Sequence, residues 1–318
     1  MTMAREAALA RFGGGLWLTE GGLETELVFH DGIDLPFFAA FTMLETAEGR
    51  SRLERFYSGL LDLAERLGVG FVMDSHTWRG SEGWGARMGL SAASVAAINA
   101  ESVAFLKNIR AGRGAQAARI AVNGVIGPAG DAYAPDRYMT VAEARSYHGP
   151  QVAALAAAGV DLATVMTMTH VEEAIGVGVA AREAGLPFVC SFTVETDGNL
   201  PSGMALQEAL ARVDDATDGW PLWFGINCAH PDHFRARLSG SWVGRIGMLR
   251  ANASRKSHAE LEASETLDAG DPEELGRDYA ALLSLLPGLR VIGGCCGTDL
   301  RHVAAVGHAC CDRWRGAA

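Results

Sequence analysis

The chain has 318 residues, 49% of them hydrophobic, with 27 Lys and Arg against 38 Asp and Glu for a net charge of −11; mean hydropathy is +0.10 and the pI is about 5.3. That apolar content, with 20% charged residues, argues against disorder, and an acidic chain without a basic cluster argues against nucleic acid and anionic membranes as partners. No apolar run reaches the roughly 20 residues that span a bilayer, and Met1-Thr2-Met3-Ala4-Arg5-Glu6 lacks a signal core, so a cytoplasmic location with reduced thiols is expected.

In chain order, short apolar runs alternate with amphipathic or alanine-rich stretches. A strand over residues 16–19 leads through a long connector to a helix over 51–67, where Leu53, Phe56, Leu60, Leu61, Leu63 and Ala64 fall near the 3.6-residue period. Strand 70–75 and helix 92–110 follow, then strand 119–124 and helix 141–158, and strand 162–168 and helix 171–184. The second half continues with strand 187–193, helix 204–212, strand 222–228 and helix 232–238. Strand 245–251, helix 272–286, strand 289–293 and helix 299–311 close the series. The strands are apolar and alternate poorly, as expected of a parallel sheet covered on both faces.

Eight such units predict a closed (β/α)8 TIM barrel, one α/β domain over residues 1–318. An open doubly wound sheet would place a glycine-rich phosphate loop after the first strand, whereas Gly13-Gly14-Gly15 precedes it. In a barrel, sites form at the carboxyl ends of the strands. Those ends carry Glu20, Gly21 and Gly22 on strand 1, Ser75, His76, Thr77 and Trp78 on strand 2, and Met166, Thr167 and His170 on strand 4. Asn227 and Cys228 end strand 6, Asn252 follows strand 7, and Cys295 and Cys296 follow strand 8. The long connectors 21–50 and 252–271 also follow strands, and the aromatic stretch around Phe37 reads as a rim or lid.

The cysteines carry the chemistry. Cys295 and Cys296 stand between Gly294 and Gly297, and Cys228 lies 67 residues upstream at a matching strand end. Neighbouring residues on a regular strand point to opposite faces, so both sulfurs reach one ion only if the glycines let the backbone turn. Three thiolates select zinc over hard cations and leave its fourth position open, as in catalytic rather than structural sites. An iron–sulfur cluster would need a fourth cysteine, and Cys310 and Cys311 fall on the final helix, where they are expected to pack. A three-thiolate zinc is suited to capture a further thiol, whose pKa near 8.5 otherwise keeps it protonated, and present it to an electrophilic carbon.

Gly225-Ile226-Asn227-Cys228 and Gly293-Gly294-Cys295-Cys296-Gly297-Thr298 resemble the two zinc motifs of the homocysteine S-methyltransferase family. That family includes betaine- and S-methylmethionine-dependent enzymes and the homocysteine-binding domain of cobalamin-dependent methionine synthase. The likeness runs from about Leu18 to Val306. It implies a zinc barrel that moves a methyl group from an onium donor, such as S-methylmethionine, S-adenosylmethionine or betaine, to a metal-bound thiol. It implies Cys228, Cys295 and Cys296 as ligands. Glu20-Gly21-Gly22 resembles the acid-Gly-Gly that positions homocysteine, and Gly127-Pro128 the Gly-Pro after strand 3. Ser75, Thr167 and Asn227 stand where substrate contacts are expected, and Trp78, Phe37 and Asn252 where a donor would be covered. Met166 replaces the Glu that reaches the substrate ammonium, Glu20 is one methylene longer than the usual Asp, and Asn252-Ala253-Ser254 departs from Asn-Ser-Gly.

Methyl delivery by a separate corrinoid protein, capture of zinc or thiol without turnover, and a nucleophilic-cysteine hydrolase are the competing readings. The expected partners are a small thiol and a methyl donor, with homo-oligomerisation left open.

Overall fold

Each of the eight apolar runs forms a strand in the computed structural model, which describes residues 3–133 and 135–317; Met1 and Thr2 of the opening segment lie outside the described residues. The strands are β1 (Trp17–Thr19), β2 (Gly70–Asp74), β3 (Ile120–Ile126), β4 (Leu162–Met168), β5 (Phe188–Phe192), β6 (Phe224–Asn227), β7 (Ile246–Ala251) and β8 (Val291–Gly294). They pair in sequence order into a closed barrel, and Trp17, opposite both Gly70 and Val291, marks the parallel closure. Short local signals set the helix bounds. Thr46 caps Ala47–Leu67 by accepting from the Gly49 N–H, so this helix begins earlier than its apolar stripe. A capping box at Thr140 and Glu143 opens Val141–Ala158, and Gly159 in the left-handed region ends it.

Three expected helices are displaced or shorter: residues 204–212 become Leu206–Thr217, residues 232–238 become Pro231–Phe234 with a 3-10 turn over Arg235–Arg237, and residues 272–286 end early as Pro272–Leu282. Among the described residues, four α-helices were not foreseen, at Met3–Phe12, Leu23–Thr25, Glu82–Arg87 and His258–Glu262. The first closes the bottom of the barrel. Its Phe12 ring stands 4.6 Å from Trp17 and 5.2 Å from Trp223.

The barrel interior is layered by the two-residue period of each strand. At the bottom, Val72, Ala121, Leu162, Val189, Trp223, Met248 and Val291 pack with Ala8 and Phe12. Two residues further along β2, β3, β4, β5 and β7 the inward positions are polar: Asp74, Asn123, Thr164, Ser191 and Arg250. A hydrogen-bonded chain joins four of them across the barrel. Arg250 pairs with Asp74, Asn123 Nδ2 donates to Asp74 Oδ1 at 2.7 Å, and Thr164 Oγ1 donates to Asn123 Oδ1 at 2.9 Å. Cys310 and Cys311 are buried in the outer core between helices and strands, as their place on the last helix implied.

Candidate active site

The three cysteines meet at the mouth. One sulfur from each of Cys228, Cys295 and Cys296 falls in a group spanning no more than 4.8 Å, close enough to hold a metal ion. Cys228 Sγ and Cys296 Sγ are 3.9 Å apart, near the ~3.8 Å edge of a tetrahedron with Zn–S bonds of about 2.3 Å. Cys228 and Cys295 are joined as a disulfide, while Cys296 is free. Convergence thus brings two of the three sulfurs within bonding reach of each other. The donor set still fits a thiophilic ion, and reduction is what frees all three sulfurs to ligate it.

Backbone geometry explains the convergence. Cys228 has φ of +54°, in the left-handed region that a side-chain-bearing residue rarely adopts. Its N–H donates to the Arg250 carbonyl and the Cys295 N–H to the Ala251 carbonyl, so β7 holds both cysteine loops. Gly22 lies so near that an added Cβ would stand 2.6 Å from the Cys295 carbonyl oxygen, and its N–H donates to the Thr298 carbonyl. The loop after β1 thus packs directly on the sulfur-bearing loop. Above the sulfurs, Tyr133 Oη is 3.1 Å from Cys296 Sγ, and its ring stacks on His258 at 4.2 Å. His258 Nε2 donates to the Cys228 carbonyl at 2.7 Å.

A cavity of about 450 Å³ opens over this cluster. It brings together Glu20, Gly21, Gly22, Ser75, Trp78, Met166, Thr167 and Asn227 with the three cysteines. Asn227 ties β6 to β4 and β5: its Oδ1 accepts from the Thr167 N–H and Ser191 Oγ, and its Nδ2 donates to Thr167 Oγ1. Ser75 Oγ accepts from the Val125 N–H and lies 2.6 Å from Thr77 Oγ1, so its hydroxyl braces β2 against β3. Gly127 donates its N–H to the Trp78 carbonyl. The Arg79 guanidinium lies 3.9 Å from the Trp78 ring centroid and 3.8 Å from that of Trp84. Burial lowers Arg79 to a pKa of about 10.

Two expected residues stand outside the cavity lining. Phe37 turns away toward Trp84, at 5.7 Å, and its neighbour Phe38 lines the mouth instead. Both phenylalanines have positive φ, a turn that sequence alone did not reveal. Asn252 is buried beside the cavity rather than in its wall.

Sequence reading missed the charged floor. Arg250, buried on β7, pairs with Asp74 and stands 3.9 Å from Glu20. Burial works against its charge, and the two acids outweigh it, so its pKa is raised. Burial, then the Asp74 carboxylate, push Glu20 well above the usual range, and Glu20 Oε2 has no hydrogen-bond partner. Burial also lifts the Cys296 thiol, with the Tyr133 hydroxyl acting in the opposite direction. His76 is lowered to about 3 by burial.

A parallel barrel with three convergent sulfurs and a buried polar floor at its mouth defines a thiol-chemistry barrel. The family model described as homocysteine S-methyltransferase matches residues 19–310, and the chain belongs to that family as a methyltransferase. The homocysteine S-methyltransferase of Escherichia coli (strain K12) is 28% identical over 242 residues, 70% of this chain and 74% of that protein. Among solved structures, the metallated form of the homocysteine methyltransferase MmuM from Escherichia coli has 22% identity and a TM-score of 0.71, covering 96% of this chain and 99% of that one. The oxidised form has 24% identity and a TM-score of 0.69, over 92% and 95% of the two chains. These structural likenesses establish the shared barrel. No helix among the described residues is long and apolar enough to cross a membrane.

Proposed function

We propose that the chain works as one barrel domain and is a zinc-dependent thiol S-methyltransferase that takes its methyl group from a small onium compound. The observation that carries this reading is the meeting of Cys228, Cys295 and Cys296 within 4.8 Å at the floor of the mouth. Zinc held by three thiolates would supply one open position that takes up an acceptor thiol and favours its deprotonated form.

The remaining work falls to the chain itself. Gly21 and Gly22 let the β1 loop lie flat against the cysteine loop, where an added Cβ would meet Thr298 or the Cys295 carbonyl. Glu20 offers its unpartnered Oε2 to the polar end of that acceptor. Tyr133 and His258, stacked over the cluster, limit water around the reacting sulfur. Phe38 and Trp78 line the side from which a donor enters, and aromatic faces suit a cationic methyl compound. The acceptor sulfur attacks the methyl carbon in line, the donor's carbon–sulfur or carbon–nitrogen bond breaks, and the donor departs as a neutral thioether or amine. Holding the two reactants in that alignment lowers the barrier by up to about 7–11 kcal/mol.

The test is a donor-by-acceptor screen on reduced, zinc-loaded protein, read by mass spectrometry. S-methylmethionine, S-adenosylmethionine and betaine are each paired with homocysteine and related thiols. A methylated thiol that depends on both added compounds supports the proposal. Tight zinc and thiol binding with no methylated product from any pair would replace it with thiol capture.

A further inference from the structure

The loop after β1 brings two acids into the cavity, Glu20 and Glu24. Glu24 stands between Gly22 and Thr25, and both of these hold the loop that bears Cys295 and Cys296. Gly22 donates its N–H to the Thr298 carbonyl, and Thr25 Oγ1 accepts from the Gly297 N–H at 3.2 Å. Glu24 is thereby fixed beside the sulfurs: burial, and then the Glu24 charge, raise the Cys296 thiol.

Positive charge is scarce around it. Six acids line the cavity, Glu20, Glu24, Asp74, Asp131, Glu262 and Asp268, against two guanidiniums, Arg79 and Arg250. Arg79 donates to the Pro128 and Gly130 carbonyls between two tryptophan rings. Arg250 pairs with Asp74 and stands 3.9 Å from Glu20. Asp131 accepts from the Tyr133 N–H and Asp268 from the Ser254 hydroxyl, and Glu262 lies exposed at the rim. Among the described residues, no ion pair and no side-chain hydrogen bond reaches the Glu24 carboxylate. Glu20 is 6% exposed, and its Oε2 has no partner either. Burial raises both carboxyls above the usual range. A buried charge without a partner is costly, and a ligand cation is what would match this pair.

The chemistry of the pair separates two kinds of cation. An ammonium brings N–H donors that two carboxylates can accept as well as a charge. A sulfonium or quaternary ammonium has no N–H and is suited by aromatic faces, which Phe38 and Trp78 supply elsewhere in the lining. We infer that Glu24 selects the acceptor: resting on the thiol-transfer reading above, its carboxylate and Glu20 Oε2 together receive the ammonium group of an amino-thiol whose sulfur lies at the three cysteines. Met166, which lines the cavity from β4, offers only a thioether, so this charge contact falls to the β1 loop.

Calorimetric binding to reduced, zinc-loaded, full-length protein tests this with homocysteine and with 4-mercaptobutyrate, which keeps the thiol and carboxylate and lacks the amine. Wild-type protein is expected to bind homocysteine the more tightly. In Glu24→Gln the affinity for homocysteine falls by about tenfold or more, the effect of one charge-assisted contact, while that for 4-mercaptobutyrate holds or rises. Equal weakening of both probes would give Glu24 a purely structural role and overturn the inference, as would wild-type protein that does not distinguish them. Unchanged homocysteine affinity with weaker binding of betaine, whose onium has no N–H, would assign Glu24 to the donor and overturn it too. Each of these results leaves thiol transfer intact, whereas failure of both thiols to bind the zinc-loaded protein overturns that reading and the inference together. Glu24→Ala reads the same ratio should Glu24→Gln not fold.

Discussion

The two ends of this barrel are made by the same eight strands and obey opposite rules. At the bottom, each strand sends an apolar side chain inward, and a helix carrying Phe12 closes the opening against Trp17 and Trp223. Two residues later on β2 and β7 the inward side chains are Asp74 and Arg250, and above them stand three sulfurs and an unpartnered carboxylate oxygen. The bottom gains stability from burial alone, at roughly 25 cal/mol per Å² of apolar surface. The mouth buries charge, which is tolerable only when each charge is matched. Stability is concentrated at one end and reactivity at the other.

The largest expected effects come from breaking either rule. Arg250→Met leaves Asp74 charged and buried without its partner, and unfolding in denaturant should show a loss of about 3–5 kcal/mol. Restoring neutrality with Asp74→Asn in the same chain should recover much of it; no recovery would mean that Arg250 matters for shape rather than charge. Phe12→Ala at the bottom should cost about 3–5 kcal/mol through the cavity it leaves. Methyl transfer per folded molecule should be unchanged at low temperature, and a matching fall in kcat would show that the two ends are coupled.

A smaller effect sharpens the comparison through pH. His76 is neutral in the folded chain down to about 3, against a usual value near 6.5 when unfolded. Between these values the unfolded chain binds the extra proton. The contribution of His76 is therefore present above pH 6.5 and is lost as pH falls toward 3, by up to about 1.4 kcal/mol per pH unit. His76→Gln should flatten the fall of unfolding free energy with acid over that window. An unchanged slope would mean that protonation of this ring plays no part.

Most of the barrel was legible because apolar runs and helix caps are local signals. The cysteine doublet between glycines was legible for the same reason: few structures other than a metal cradle need two thiols at a turn. Arg250 and Asp74 were hidden by reading their strands as uniformly apolar. Counting by twos from Met248 to Arg250, or from Val72 to Asp74, places both inside the barrel, and that signal was available. Tyr133 and His258 were not legible, since they come from separate loops and meet only in the folded chain. Phe38 in place of Phe37 turns on two left-handed backbone positions, which aromatic side chains do not encode.

The most direct test is the zinc content of the reduced protein, measured by elemental mass spectrometry alongside Cys296→Ala. The account predicts about one zinc per wild-type chain, as a three-thiolate site requires, and loss of both zinc and methyl transfer in the variant. Reduced wild-type protein that retains no zinc, or a Cys296→Ala protein that keeps a full complement and full activity, would contradict it.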